Sequence, residues 1–290
     1  MKFLPLFLLA LLPWVVNAQS NPEVYLGDVL FSDGTISVSN LINISQNPGY
    51  DNQPSFLLDG TGVLFSSSRE NGQTDVALFD ISTSTKNWLT NSNGLSEYSP
   101  VQTPDKRAIS FIILAEDGTQ QFWKTTAGNP DPEILEKDDV VGYYTWYNAD
   151  TYFCFVLPTD SAPSTLQKHQ LSTGQKEIIA QNPGRSIHII PGTKKISYVD
   201  KNGESAWLVT SYNPENRSTI KLTETPVNSE DMVWIDDENF LIGKGNTLLV
   251  WNSENGYSTP VKLFEETGSI TRLALSPDGQ KIALVFAAEE

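Results

Sequence analysis

Tight-turn signals recur through this chain at an almost constant interval. Asp59-Gly60, Asp105-Lys106, Asn148-Ala149, Gly192-Thr193, Asp236-Asp237 and Asp278-Gly279 each precede an apolar run: VLFSS, AISFI, YFCFV, KISYV, FLIG and KIALVF. The spacing, roughly 42 to 46 residues, is that of a four-stranded propeller blade. A second turn follows within the same unit at Asn71-Gly72, Asp117-Gly118, Asn202-Gly203 and Lys244-Gly245, with the loop from Pro158 to Pro163 standing in for one copy. Such dipeptides accept the positive backbone angles that hairpins require. Beyond it lie a third strand (DVALFDI, QQFWKTT, LQKHQL, AWLVTSY, TLLVWN) and a short edge strand (NWLT, EILE, EIIA, IKLT, VKLF). Runs of amphipathic-helix period are missing. The pattern predicts an all-β chain: a six-bladed β-propeller with four-stranded antiparallel blades.

The two ends of the chain fit that count. The last unit, ITRLALSPDGQKIALVFAAEE, stops where its second turn is due and lacks two strands. The segment EVYLGDVLFSDGTISVSNLINIS, ahead of the first full unit, supplies two. Pairing them closes the ring and leaves no open sheet between first and last blades. The specific expectation is that Lys281–Phe286 lies beside the segment near Val24–Val29.

The opening MKFLPLFLLALLPWVVNAQS has a charged start, a short apolar stretch broken by Pro5 and Pro13, and small residues before Gln19. These are the marks of a signal peptide, so residues 1–18 are expected to be a leader and 19–290 a single β-propeller domain. No cysteine sits near that junction to carry a lipid, and no later run is long enough to span a bilayer. A periplasmic or extracellular monomer is expected. Cys154 is the only cysteine, which rules out an intrachain disulfide, and its apolar setting reads as packing. The formal charge of -16 repels phosphate backbones and anionic headgroups, which argues against nucleic acid as a partner.

The wording of the repeats adds to their spacing. GYDNQPSFLLDGTGVLFSSSRENGQTDVALFD resembles the repeat of TolB-type propellers, which runs Tyr-Asp, Pro-Ser, Pro-Asp-Gly, then Ser-x-Arg-x-Gly and a strand opened by Asp. LALSPDGQKIALV repeats its middle portion, and SEYSPVQTPDKRAISFI fits with Lys106 in place of Gly. Blades three to five keep the spacing and lose the signature letters. The resemblance implies a six-bladed ring and a protein–protein role in the periplasm or envelope. TolB itself has an extra N-terminal domain; here about thirty residues past the expected leader precede the first full blade, and they are expected to serve closure.

Inner strands of a propeller line its channel, and the loops entering them form a rim. Alignment on the first turns places Asp51, Glu97 and Asp231 at that rim with Arg185 and Arg272 nearby. Carboxylates so grouped can serve as acid and base, although solvated charges are the commoner outcome. Arg69 either reaches a rim carboxylate or braces its own hairpin. His188 lies on an inner strand, packed or facing the channel, and His169 on the outward side of a strand. Two such separated histidines do not make a zinc site. Trp146 and Trp234 are the aromatic candidates for the channel. No cofactor or metal is signalled. Calcium needs only oxygen ligands, but no Asp-x-Asp-x-Asp-Gly loop occurs. A Gly-x-Ser-x-Gly elbow is missing as well. The expected function is a non-enzymatic scaffold for an envelope or secreted protein. The alternatives are a channel-mouth enzyme (a glycoside hydrolase or lyase) and a sensor of a small ligand such as a sugar.

Overall fold

A computed structural model describes residues 21–32, 35–126, 132–203, 207–263 and 268–287. The expected leader therefore lies outside the described residues. The described residues form six sheets arranged as a propeller, antiparallel except for one short edge pairing. Blade one runs from the inside outward as Asp51–Phe56, Gly62–Ser68, Thr74–Asp80 and Thr85–Trp88. Blades two to five begin with the inner strands Leu95–Gln102, Val141–Asn148, Pro183–Ile189 and Met232–Trp234.

Blade six is composite. Strands Ser269–Leu275 and Lys281–Ala287 come from the C-terminal end, followed outward by Glu23–Ser32 and Thr35–Asn43. The closing register pairs Glu23 with Phe286, Val24 with Val285 and Asp28 with Lys281, as the sequence predicted. Lys281 Nζ also lies 2.7 Å from Asp28 Oδ1, so an ion pair accompanies the seam. One edge strand departs from expectation. The outermost strand of blade five is Ser258–Pro260, whereas Lys262–Leu263 crosses over and pairs in parallel with Ser37 and Val38 of blade six. Val261 marks the crossing: its N–H donates to the Leu248 carbonyl at 2.8 Å and its side chain is buried between the two blades.

Apolar residues gather into six clusters, one at each interface between neighbouring blades. Alternation along each strand produces this, because successive side chains point to opposite faces and both faces of a blade meet a neighbour. In the second strand of blade one, Gly62–Ser68, every residue is buried. The first turns are held by their own carboxylates. Asp59 Oδ1 accepts from the Thr61 N–H at 3.0 Å, and Asp278 Oδ1 from that of Gln280 at 3.0 Å. Asp236 does the same for Glu238 and Asn239, which gives the acidic corner at 236–238 a backbone role. Gly60 sits at φ +76°, and Lys106 accepts the same left-handed backbone at φ +62°. The hairpin tolerates that cost at Lys106.

The inner strands carry the feature that shapes the channel. Each of those in blades one to four and six has a register break: Asn52/Ser55, Tyr98/Val101, Val141/Tyr143, Pro183/Ile187 and Ile270/Arg272. A bulge turns a side chain out of the alternation and re-aims it. Pro54 and Pro100 sit within two of the breaks, where a residue without an N–H costs no ladder bond.

Candidate functional site

The inner strands and the loops entering them deliver a ring of side chains to one end of the central channel. Gln53, Ser99, Tyr143, Arg185, Asp231 and Arg272 come from blades one to six in order, and all line a cavity of about 410 Å³. The alignment on first turns set Asp51 of blade one opposite Glu97 of blade two, at the rim. The register breaks shift the channel position, so that Gln53 and Ser99 face inward in their place.

Arg185 grips Asp231 with two bonds, Nε to Oδ1 at 2.9 Å and Nη2 to Oδ2 at 2.5 Å. Arg272 Nη1 approaches Asp231 Oδ1 from the other side at 3.2 Å. Its Nη2 reaches across the ring to donate to the Tyr143 hydroxyl at 3.1 Å. Blade six is thereby bridged to blade three. Two guanidinium charges against one carboxylate leave one net positive charge here, inside a protein of formal charge -16. Glu230 steadies the cluster, accepting from the Arg185 backbone N–H at 2.9 Å and from Lys201 Nζ at 3.3 Å. Burial works against the Arg185 charge, but the bonds and field of Asp231 prevail and raise its pKa. Tyr50 and Tyr98, edge to face with centroids 6.0 Å apart, stand near this end. Burial pushes the Tyr50 hydroxyl up to about 12, with Arg272 and Arg185 pulling the other way.

Deeper in, the wall is apolar: Phe56, Val101, Ile187, Met232, Val233 and Leu273 among others. Two polar atoms interrupt it. His188 Nε2 and Ser99 Oγ are buried and have no hydrogen-bond partner among the described residues. Desolvation pushes the His188 imidazole down to about 4, so it is neutral at physiological pH.

The other residues expected at the rim are placed elsewhere. Asp51 is fully buried inside blade one, accepting from Ser67 Oγ and lying 3.9 Å from Lys86 Nζ; burial raises it to about 6. Glu97 is fully buried between blades one and two. It accepts from Thr90 Oγ1, from Ser92 Oγ at 2.5 Å and from the Val76 N–H at 3.2 Å, and burial raises its pKa. These two carboxylates bind blade to blade and strand to strand. Arg69 braces its own blade: Nε donates to Asp75 Oδ2 at 2.5 Å, Nη2 to the Thr90 carbonyl at 2.7 Å, and the guanidinium stacks 3.6 Å over Trp88. Trp146 and Trp234 do not face the channel. Each is buried between blades, with its indole N–H on a serine of the preceding blade, Ser110 Oγ at 2.8 Å and Ser197 Oγ at 2.7 Å. A buried indole needs such an acceptor, and the inter-blade serines supply it.

His169 was expected to face outward and is buried instead. Its Nδ1 lies 2.9 Å from the Tyr152 hydroxyl and 3.3 Å from Glu136 Oε2. Glu136, Asp139 and His169 are close enough to share a cation. The Lys176 ammonium already sits there, 2.8 Å from Glu136 and 2.7 Å from Asp139. Burial favours a protonated Glu136, yet Lys176 and the N–H groups of 137–139 outweigh it and lower its pKa. Nothing in the spacing of EILEKDD and QKE announces this meeting, because it forms between blades.

A closed six-bladed propeller with a polar ring at one end of its channel is the class this geometry defines. The arrangement is that of TolB-type propellers. A TolB-type protein from Agrobacterium tumefaciens superposes with TM-score 0.72 at 10% identity, over 93% of this chain and 99% of that one. TolB from Acinetobacter baumannii gives 0.59 at 14% identity, over 91% of this chain and 65% of that one. Oligogalacturonate lyase from Vibrio parahaemolyticus gives 0.54 at 12% identity, over 93% and 98%. No family model and no curated protein matches the sequence. Among the described residues no helix is long and apolar enough to cross a membrane.

Proposed function

We propose that the protein is a non-enzymatic binding scaffold, engaging an envelope or secreted protein partner through the rim around Tyr50, Tyr98, Arg185 and Arg272. One observation carries this reading. The carboxylates that catalysis at the rim would use are engaged in structure: Asp51 and Glu97 hold strands and blades, and both oxygens of Asp231 accept from arginine. A general acid or base must meet its substrate within hydrogen-bond reach, whereas aromatic and arginine side chains at a rim are the usual anchors of protein interfaces. The resemblance to TolB-type propellers supports a periplasmic or extracellular setting, and the scaffold is proposed to act as a monomer without a metal. The likeness to a lyase structure makes an enzyme the reading to beat.

The test compares the parent protein with the double variant Arg185→Glu/Arg272→Glu, both immobilised, in capture of proteins from a cell-envelope extract. A partner retained by the parent and lost by the variant supports the scaffold. Equal retention overturns the rim assignment. Turnover of oligogalacturonate or another glycoside, abolished by Asp231→Asn, overturns the scaffold itself.

A further inference from the structure

The channel behind the rim has a chemistry of its own. It is a cavity of about 410 Å³, within the range of small-molecule sites. Its walls are apolar over most of their area, its rim end carries the excess positive charge of Arg185 and Arg272, and two buried polar atoms inside it have no partner. Orphaned buried polar groups are rare in folded proteins because each costs its full desolvation. Here both belong to residues lining one cavity.

The donors at the rim are not exhausted by the protein. Arg185 Nη1 and Arg272 Nε have no hydrogen-bonded partner among the described residues, while the remaining guanidinium nitrogens hold Asp231, Tyr143 and the Thr271 carbonyl. An anion entering from the channel side would meet donors already fixed in place by Asp231. His188 sits three residues beyond Arg185 on the same strand, past the register break at Pro183/Ile187. Its Nε2 is buried without a hydrogen-bond partner among the described residues. A neutral imidazole nitrogen accepts in one tautomer and donates in the other, and a hydroxyl can partner either.

We propose that the channel binds a small amphipathic carboxylic acid: its carboxylate on Arg185 and Arg272, its apolar body against Val101, Ile187 and Met232, and a hydroxyl at the far end hydrogen-bonded to His188 Nε2. The site shares Arg185 and Arg272 with the proposed partner rim, but its ligand lies in the channel behind them and the inference does not depend on a protein partner. A neutral sugar suits it less well, since a largely apolar wall leaves ring hydroxyls without acceptors. A dianion suits it less well too, because a single net positive charge is available.

Three probes test the inference on the full chain by thermal shift and calorimetry: para-hydroxyphenylpropionate, phenylpropionate, and the amide of para-hydroxyphenylpropionic acid. The hydroxy acid is expected to bind and raise Tm in a saturable way, as ligands of the native state do. Loss of the hydroxyl should weaken binding about tenfold, the size of one buried hydrogen bond. The amide should not bind at matched concentration. Arg272→Gln, which leaves the Arg185–Asp231 pair intact, should weaken the acid and bring it level with the amide. His188→Phe should erase the difference between hydroxylated and plain acids while leaving the plain acid bound. Absence of saturable binding by the hydroxy acid overturns the proposal on the parent protein alone. So does equal binding of the amide, or a hydroxyl preference that survives His188→Phe. Partner capture is read separately, so either reading can fall without the other.

Discussion

His188 and Asp51 make opposite and nearly equal demands on stability as pH falls, and each can be exposed by removing the other. Burial lowers the His188 pKa from 6.5 to about 4, so between these values the unfolded chain takes a proton that the folded chain refuses. Stability from this group is present above the unfolded value and is lost on acidification. Burial raises Asp51 from 3.8 to about 6, so in nearly the same window the folded chain takes a proton first. Stability from this group rises on acidification. The shifts are 6.5 − 4, about 2.5, and 6 − 3.8, about 2.2. At about 1.36 kcal/mol per unit, each moves stability by about 2 kcal/mol between pH 7 and about pH 4.5, in opposite directions. The assay is urea denaturation followed by tryptophan fluorescence at those two pH values. Compared with the parent, His188→Gln should gain about 2 kcal/mol on going to acid and Asp51→Asn should lose about 2 kcal/mol. All other titrating groups are common to the three proteins and cancel in the comparison. If the three pH dependences run parallel, the burial argument for both residues is wrong.

Two further substitutions test the seam and the buried cation. Gly27→Ala would place a Cβ 2.8 Å from Val38 Cγ1 and 2.9 Å from Leu41 Cδ2 in the closing blade; overpacking of this kind costs about 1–3 kcal/mol, and an unchanged urea midpoint would deny the tight closure. Lys176→Met removes the ammonium that bridges Glu136 and Asp139; with Lys176 partly solvated the loss should be about 1–2 kcal/mol at neutral pH, and pairing it with Glu136→Gln should recover part of it, an outcome whose absence would deny the pairing.

Fold and site were unequally legible in the sequence. Turn dipeptides and strand lengths are local properties, so the repeat, the blade count and the Val24–Val285 seam could be read directly. The rim could be read only to within a residue or two. Arg185, Asp231 and Arg272 fall together as the alignment implied, yet Asp51 and Glu97 yield their places to Gln53 and Ser99 because a bulge breaks the period-two alternation. Pro54 and Pro100 were the available signal, since proline within an inner strand marks interrupted pairing. Trp146 and Trp234 were misplaced for a different reason. Their depth depends on Ser110 and Ser197 of the blade before, tens of residues away. The joining of Glu136, His169 and Lys176 is equally non-local. Strand assignment alone says nothing of which faces meet between blades.

The composite sixth blade also fixes an order of events. Asp28 and Lys281 meet across 253 residues, so the seam can form only after almost the whole chain has been made. Until then Glu23–Ser32 has one neighbour instead of two, and five finished blades have nothing to hold their arc at the right curvature. Contacts so distant along the chain slow folding, which makes the strand Lys281–Ala287 the latch of the ring. A chain cut just before Lys281 would be expected to forfeit far more than one strand.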